Sequence, residues 1–207
     1  MKIMLLSFKR INSSDFPEIN EARPSLEVRR IAALALARSL LAEQGIISHE
    51  QAKKVEIHRL KSGKPFLKSS QALEQVLPSI SISHSGFWVG CFLSDKESPS
   101  GLDIEDITLY RPYKKLSEYA FFREENQFVS EAGQLGFYQL WTAKEAIAKC
   151  NGKGLSYALK IDLGFQLKNL LSNNETIVNI KNEDYHLYQQ IVDNSLIMTL
   201  ATKKSRP

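Results

Sequence analysis

Cysteine and long apolar runs are scarce in this chain. Only two of its 207 residues are cysteine, and Cys91 and Cys150 lie far apart without metal-ligand spacing. We therefore expect reduced, packed thiols in a cytoplasmic protein. No apolar run approaches the ~20 residues that cross a bilayer, so we expect no membrane partner. The apolar start ends at Phe8 and is followed by Lys9 and Arg10, which favours a first β-strand over a signal peptide.

Several sequence signatures of enzyme classes are also absent. The chain has no Walker P-loop, no Rossmann glycine pattern and no G-x-S-x-G elbow. It has no long lysine or arginine tract of the kind found in nucleic-acid tails. The net charge of +4 and the pI of about 9.0 favour anionic partners, among which nucleic acid, phosphorylated small molecules and acidic proteins remain open.

Hydrophobic periodicity and turn residues predict which segments of the chain form helices and which form strands. Ser25 is a helix cap and Gly45 a stop, so a helix is predicted between them. A second helical region is predicted from Pro112 to Cys150, broken near Gly133. Strands are predicted at the N-terminus and within 55–67, 79–95, 101–107, 161–167, 176–180, 185–192 and 195–202.

This order of elements predicts an α+β fold. Each half of the chain holds helix and several strands, which suggests two similar α+β units without a residue-level repeat. The polar break "DKESPSG", with Pro99 and Gly101, separates them. We therefore predict an N-terminal half of residues 1–100 and a C-terminal half of residues 101–207.

The stretch "GLDIEDI" brings two carboxylates together. On a strand Asp103 and Glu105 point to the same face, and Leu102 and Ile104 to the other. Adjacent carboxylates repel unless a cation lies between them, and Mg²⁺ is bound by one or two carboxylates with phosphates and water. A solvated strand end is the alternative for so short a pattern.

The stretch "LWTAKEAIAK" places charges on a helix of small apolar residues. Trp141, Glu145 and Lys149 stand at i, i+4 and i+8 and share a face. In the simplest interpretation Trp141 is in the core and Glu145 and Lys149 form a surface pair. The alanines favour another possibility, in which a backbone or ligand approaches closely and Glu145 and Lys149 meet a metal and a phosphate.

Two further segments offer polar groups. In "SISHSG", Ser83 and His84 end a strand, where such groups either hydrogen-bond structurally or cradle a phosphate. Neighbouring strand residues point to opposite faces, so these two suit a nucleophilic triad poorly. The "SGKP" turn exposes Lys64, which alone is a solvated lysine.

The ordered set "GKP", "SISHSG", "GLDIE" and "LWTAKEAIAKCNGKGL" closely resembles the surfactin-synthetase-activating type of 4′-phosphopantetheinyl transferase. "FFREENQF" resembles the family's F-F-x-x-x-E segment, and Arg29 and Arg38 stand at its arginine spacing. Each motif alone is weak, whereas their order is specific.

The resemblance implies a pseudo-twofold fold with coenzyme A in the cleft between two halves. It implies Mg²⁺ held by Asp103, Glu105 and Glu145, with Glu145 as the base or metal ligand or both. The implied contacts to coenzyme A and its phosphates are Lys64, Ser83, His84, Lys149, Arg29 and Arg23.

The implied reaction is transfer of 4′-phosphopantetheine from coenzyme A to a serine of an apo acyl or peptidyl carrier protein, releasing 3′,5′-ADP. Such carriers serve fatty-acid, polyketide or peptide-synthetase pathways. We expect a cytoplasmic monomer that binds no nucleic acid. A Mg²⁺-dependent nuclease or phosphohydrolase using the same carboxylates is the alternative, but it leaves the "SISHSG" segment and the motif order unexplained. A non-catalytic carrier-protein binder is a third possibility, but it would be expected to lose the carboxylates.

Two segments depart from the family pattern. Before the first helix, where the family often has basic residues for the 3′-phosphate, only Arg23 is available. The spacer "FLKSSQALEQVLPSI" is longer than usual and is a candidate for an extra helix. Carrier specificity is predicted on the helical stretch from Phe121 to Phe128.

Overall fold

The computed structural model describes residues 4–12, 24–166 and 174–203, with only the backbone of Phe165 described. Contacts between residues group the chain into two compact units, Met1–Pro99 and Ser100–Pro207. Each unit combines helices with antiparallel sheet, so the predicted mixture of helix and strand is confirmed, while the pseudo-twofold arrangement of two similar halves stays a prediction. Within the described ranges, no helix is long and apolar enough to span a membrane.

The first unit packs one long helix on a three-stranded antiparallel sheet of order β1-β5-β4, with β2 and β3 as a separate hairpin. Ser25 caps the long helix by accepting a hydrogen bond from the amide of Val28, as its sequence predicts. The elements are β1 (Met4–Arg10), α1 (Leu26–Glu43), α2 (His49–Ala52), β2 (Val55–Arg59), β3 (Pro65–Ser69), β4 (Ser79–Ser85) and β5 (Trp88–Ser94).

Alternate side chains of β5 make the sheet's contribution to the first core. Val89, Cys91 and Leu93 are fully buried in the cluster that includes the small and leucine residues of α1. Burial raises the pKa of the Cys91 thiol to about 12, because the thiolate would lose its hydration. Cys150 is likewise a buried free thiol.

The second unit packs helix on a four-stranded antiparallel sheet of order β6-β9-β8-β7. Its long helix is broken at Gly133, which has φ 70° and ψ −151°, as the sequence predicts. The elements are β6 (Ser100–Asp106), α3 (Tyr113–Ala120), α4 (Arg123–Asn151), α5 (Leu155–Ala158), a 3₁₀ turn (Gly164–Gln166), β7 (Glu175–Ile180), β8 (Glu183–Val192) and β9 (Leu196–Lys203).

Two predicted elements are wrong. Residues 161–166 of the predicted strand 161–167 form an irregular link and the 3₁₀ turn, and residue 167 lies outside the described residues. Ile161 and Leu163 are buried in the core around α4, but the described residues 161–166 pair with no strand. The spacer after "GKP" contains no helix: it completes β3 and then runs irregularly from Ser70 to Pro78.

Candidate active site

Strand β6 presents two carboxylates on one face of the second unit's sheet. Gly101, Asp103 and Glu105 alternate with Leu102 and Ile104, so the first three point to one side. Asp103 and Glu105 are only 5% and 7% exposed. Two carboxylates on one buried face repel each other, so nearby positive charge stabilises this face.

Helix α4 lies directly on this face. A Cβ at Gly101 would come 2.0 Å from the carbonyl oxygen of Ala146 and 2.5 Å from the amide nitrogen of Cys150. A glycine on the strand opposite small residues on the helix permits this approach. It explains why Glu145 and Lys149 belong to an alanine-rich helix: small neighbours let their charges reach the strand.

Lys149 contacts the first carboxylate directly. Its Nζ lies 2.7 Å from Oδ1 of Asp103, across 46 positions of sequence. The lysine side chain is 28% exposed and the aspartate 7%, so this pair is less screened than a surface pair. The structure therefore brings the predicted residues Asp103 and Lys149 together.

Glu145 belongs to the same cluster. Burial raises the pKa of its carboxyl group, the charge of Asp103 raises that pKa further, and Lys149 opposes both. A carboxylate with a raised pKa is a better proton acceptor than an exposed one. Asp103, Glu145 and Lys149 thus form a group of coupled charges between β6 and α4.

Glu105 pairs with a residue that the sequence analysis missed. Nη2 of Arg111 donates to Oε2 of Glu105 at 2.8 Å. Arg111 lies beyond β6, in the link to α3, and no periodic pattern marks the path of that link. The sequence therefore gave no signal of this contact.

A buried polar network holds α4 on the sheet beside these charges. The hydroxyl oxygens of Thr142 and Thr199 lie 2.8 Å apart, and Thr199 pairs in register with Asp103. Nε2 of Gln189 donates to Thr199 Oγ1 at 2.8 Å and to the carbonyl of Gln139 at 3.0 Å. These bonds fix the turn of helix that precedes Glu145.

Lys144, whose role the sequence left open, is structural. Its Nζ lies 2.6 Å from Oε2 of Glu125, and the two side chains are 2% and 0% exposed. The ammonium also lies 4.6 Å from the centroid of the Phe121 ring. Glu125 in turn accepts from the amides of Phe122 and Leu163, each at 2.8 Å. Lys144 thereby ties the "FFREE" and "WTAKE" segments together.

The predicted metal site is tested by its donor set. Asp103, Glu105 and Glu145 supply only carboxylate oxygens, the ligands that Mg²⁺ prefers. Burial raises the pKa of Glu145, and the charge of Asp103 raises it further, so the two carboxylates influence each other. In the part of the chain that the structure describes, no group of three or more acidic, histidine or cysteine side chains is already arranged around a metal position. Lys149 and Arg111 instead pair with Asp103 and Glu105. The donor chemistry fits a hard cation.

Two predicted contacts to coenzyme A meet in the first unit. Nη1 of Arg29, on α1, lies 3.4 Å from Nδ1 of His84, on β4. Both line a groove of about 540 Å³ between α1 and β2, to which Arg30 and Arg59 add positive charge. Nε of Arg29 is buried without a hydrogen-bond partner among the described residues. The groove is therefore suited to an anion.

The remaining predicted contacts lie elsewhere. Ser83 is buried on the opposite face of β4 from the exposed His84. Lys64 lines a second groove, of about 640 Å³, together with Lys68 and Lys96. Arg23 lies outside the described residues. The structure thus does not bring Lys64 or Ser83 into the groove of Arg29 and His84.

Arg38, which also follows the family spacing, has a structural partner. Its Nε and Nη2 both donate to the carbonyl oxygen of Val55, at 3.0 and 2.8 Å. The guanidinium therefore anchors strand β2 to helix α1 where the two border the groove.

The model of the 4′-phosphopantetheinyl transferase superfamily matches residues 99–201, which include all of β6 and α4. Among known proteins, the 4′-phosphopantetheinyl transferase psf-1 of Bacillus pumilus is 30% identical over 158 residues, 73% of this chain and 59% of the relative. The transferase ffp of Bacillus subtilis is 33% identical over 139 residues, covering 63% and 55%. The transferase gsp of Aneurinibacillus migulanus is 35% identical over 79 residues, covering 36% and 31%.

Residues 99–201 therefore belong to the 4′-phosphopantetheinyl transferase superfamily. The resemblance of the motifs to the surfactin-synthetase-activating type is confirmed by these relatives. The chain spans about half the length of the curated relatives it matches.

Proposed function

We propose that this protein transfers the 4′-phosphopantetheine group of coenzyme A to a serine hydroxyl of an apo carrier protein and releases 3′,5′-ADP. The observation that carries the proposal is the convergence of Asp103, Glu145 and Lys149 where α4 crosses β6. It lies within the region that belongs to the superfamily, and relatives with that activity in their names support it.

In the first unit Arg29 and His84 bind phosphate, with Arg30 and Arg59 adding charge in the same groove. Arginine suits this task because its planar donors match phosphate oxygens. Arg23, Ser83 and Lys64 remain predicted contacts, without support from the geometry of the groove.

In the second unit, Asp103, Glu105 and Glu145 would hold Mg²⁺. The ion, when bound, supplies Lewis-acid stabilisation of charge on the diphosphate oxygens. Lys149 stabilises the negative charge of the same phosphates. Its side chain is only partly buried, and its ammonium group already faces the carboxylates.

The chemistry is a displacement at phosphorus. The serine oxygen forms a bond to the β-phosphorus of coenzyme A, and the bond from that phosphorus to the bridging oxygen breaks, leaving 3′,5′-ADP. Glu145 accepts the serine proton, directly or through a water, and its raised pKa suits it to do so. Lys149 offsets the negative charge that develops.

We place carrier docking on the stretch from Phe121 to Phe128. Phe121 itself is buried, but Phe122 is 40% exposed and Arg123 is exposed beside it. An apolar side chain next to a cation suits an acidic amphipathic helix.

The test is incubation with coenzyme A, Mg²⁺ and a panel of apo carrier proteins from fatty-acid, polyketide and peptide-synthetase systems. Mass spectrometry should show one carrier gaining a phosphopantetheine group. Asp103→Asn and Glu145→Gln should lower the rate by at least about 100-fold while retaining the circular dichroism of the folded chain. Hydrolysis of nucleotide or nucleic acid without transfer to any carrier would overturn the proposal.

A further inference from the structure

Arg111 is paired with Glu105, a carboxylate of the candidate active site, but the proposed reaction assigns no role to Arg111. Its Nη2 lies 2.8 Å from Oε2 of Glu105, whose side chain is 10% exposed, whereas that of Arg111 is 35% exposed. Glu105 is thus held within the sheet, whereas the guanidinium of Arg111 can move into solvent.

The backbone that carries Arg111 is anchored to the site. The amide of Ile107 donates to the carbonyl of Ser195 at 2.9 Å. From α4, the hydroxyl of Tyr138 donates to the carbonyl of Leu109 at 3.0 Å, and Nε2 of Gln134 donates to the carbonyl of Ile107 at 3.2 Å. These bonds distinguish Arg111 from an ordinary surface arginine, because they keep its guanidinium within reach of Glu105 even if the pair opens.

Each of the two carboxylates of β6 is paired with one basic side chain. Lys149 pairs with Asp103, and Arg111 pairs with Glu105. A divalent ion at this face needs the carboxylate oxygens that the two basic side chains now contact, and it is repelled by both positive charges. An anionic substrate is attracted by them.

We infer that Arg111 is an exchangeable counter-charge for Glu105: it pairs with the carboxylate until a divalent cation binds there, and it then pairs with a phosphate of the substrate. This inference rests on the proposed function, because it takes the cation and the diphosphate from it. Arg111 is a residue of the reaction that the motifs do not include.

The role predicts opposite effects on two ligands. Removing the charge of Arg111 should tighten binding of the cation alone and weaken binding of coenzyme A alone. It should also reduce the factor by which coenzyme A tightens cation binding, since in the unmodified chain each ligand frees a partner for the other.

The experiment measures Mn²⁺ binding by the electron paramagnetic resonance signal of free Mn²⁺, with and without coenzyme A. The proteins are the unmodified chain, Arg111→Gln, Arg111→Lys and, as a matched control, Arg10→Gln, which changes an exposed arginine of β1 that has no role in the proposed function. Without coenzyme A, Arg111→Gln should bind Mn²⁺ at least about fivefold more tightly, the lower end of typical coupling between ligands. Arg111→Lys keeps the charge, and like Arg10→Gln it should match the unmodified chain.

Equal or weaker Mn²⁺ binding by Arg111→Gln would overturn the inference, the weaker result meaning that Arg111 orients Glu105 for the metal. An unmodified chain that binds no Mn²⁺, with or without coenzyme A, would instead remove the metal site from the proposed function. Asp103→Asn, which should abolish Mn²⁺ binding, separates binding at this face from binding elsewhere.

Discussion

Glu145 is under two opposing influences in the folded chain. Burial and the charge of Asp103 raise the pKa of its carboxyl group, and Lys149 lowers it. Because the net shift is upward from 4.5, the folded chain holds a proton at pH values where the unfolded chain has lost it. Stability contributed by that proton is present at low pH and is lost as pH rises through the folded pKa.

Glu145→Gln should therefore stabilise the metal-free protein more at pH 7.5 than at pH 4.5, because the variant has no carboxylate to ionise. The measurement is urea unfolding of both proteins at both pH values in the presence of a chelator. Glu118→Gln, at an exposed position on α3, serves as the control and should show no such difference. A stability difference that is the same at both pH values would contradict the prediction.

The residues that the sequence indicated are those marked by local periodicity. Asp103 and Glu105 follow from strand alternation, and Glu145 and Lys149 from helical spacing. Arg111 could not be found in this way, because its contact with Glu105 depends on the path of an irregular link. Lys144 was singled out but not explained, since its partner Glu125 lies 19 positions away on the same kinked helix.

At the scale of elements, the buried ion pair of Lys144 and Glu125 within α4 contributes to the stability of the fold rather than to the reaction. Burial lowers the pKa of Lys144, and Glu125 opposes that effect. Both charged groups lie inside the junction between α3, α4 and the link before the 3₁₀ turn. Loss of one partner would leave the other charged and buried.

Lys144→Met should therefore lower the free energy of unfolding by about 3–5 kcal/mol. The double variant Lys144→Met with Glu125→Leu should recover part of that loss, because no unpaired charge remains. Urea unfolding of the single and double variants measures both effects. Lys160→Met, at an exposed position, should change stability by less than about 0.5 kcal/mol. A single variant as stable as this control would refute the role of the pair.

Regular elements were predicted well where periodicity and turn residues agree. Both long helices, the break at Gly133 and the strands of the two sheets follow the sequence. The segment 161–166 was mistaken for a strand because Ile161 and Leu163 alternate, but alternation shows only that two side chains are buried, not what they pack against. The spacer 70–78 offers Ser70 as a cap but ends at Pro78, and so short a segment is marginal as a helix.

At the scale of the whole molecule, a ligand held by residues of the folded chain must stabilise it. Coenzyme A at 100 times its dissociation constant, with Mg²⁺, should add about 2.7 kcal/mol. For a chain of this size that corresponds to a rise in Tm of roughly 5–10 °C. Differential scanning calorimetry with each ligand alone and with both together provides the measurement.

Asp103→Asn gives the matched comparison for this experiment. It should retain part of the shift with coenzyme A alone, through the basic groove of Arg29 and His84, and lose the additional shift that Mg²⁺ produces. If coenzyme A with Mg²⁺ leaves the Tm of the unmodified chain unchanged, the protein does not bind this substrate as proposed.

The contact between Gly101 and helix α4 limits how this protein can be redesigned. With the strand backbone touching the carbonyl of Ala146 and the amide of Cys150, no side chain of any size fits between the two elements. Attempts to enlarge or reshape the reaction centre must leave this junction alone and alter the surrounding side chains. Because this junction fixes the helix on the strand, new specificities will come from the side chains around it rather than from tilting the helix.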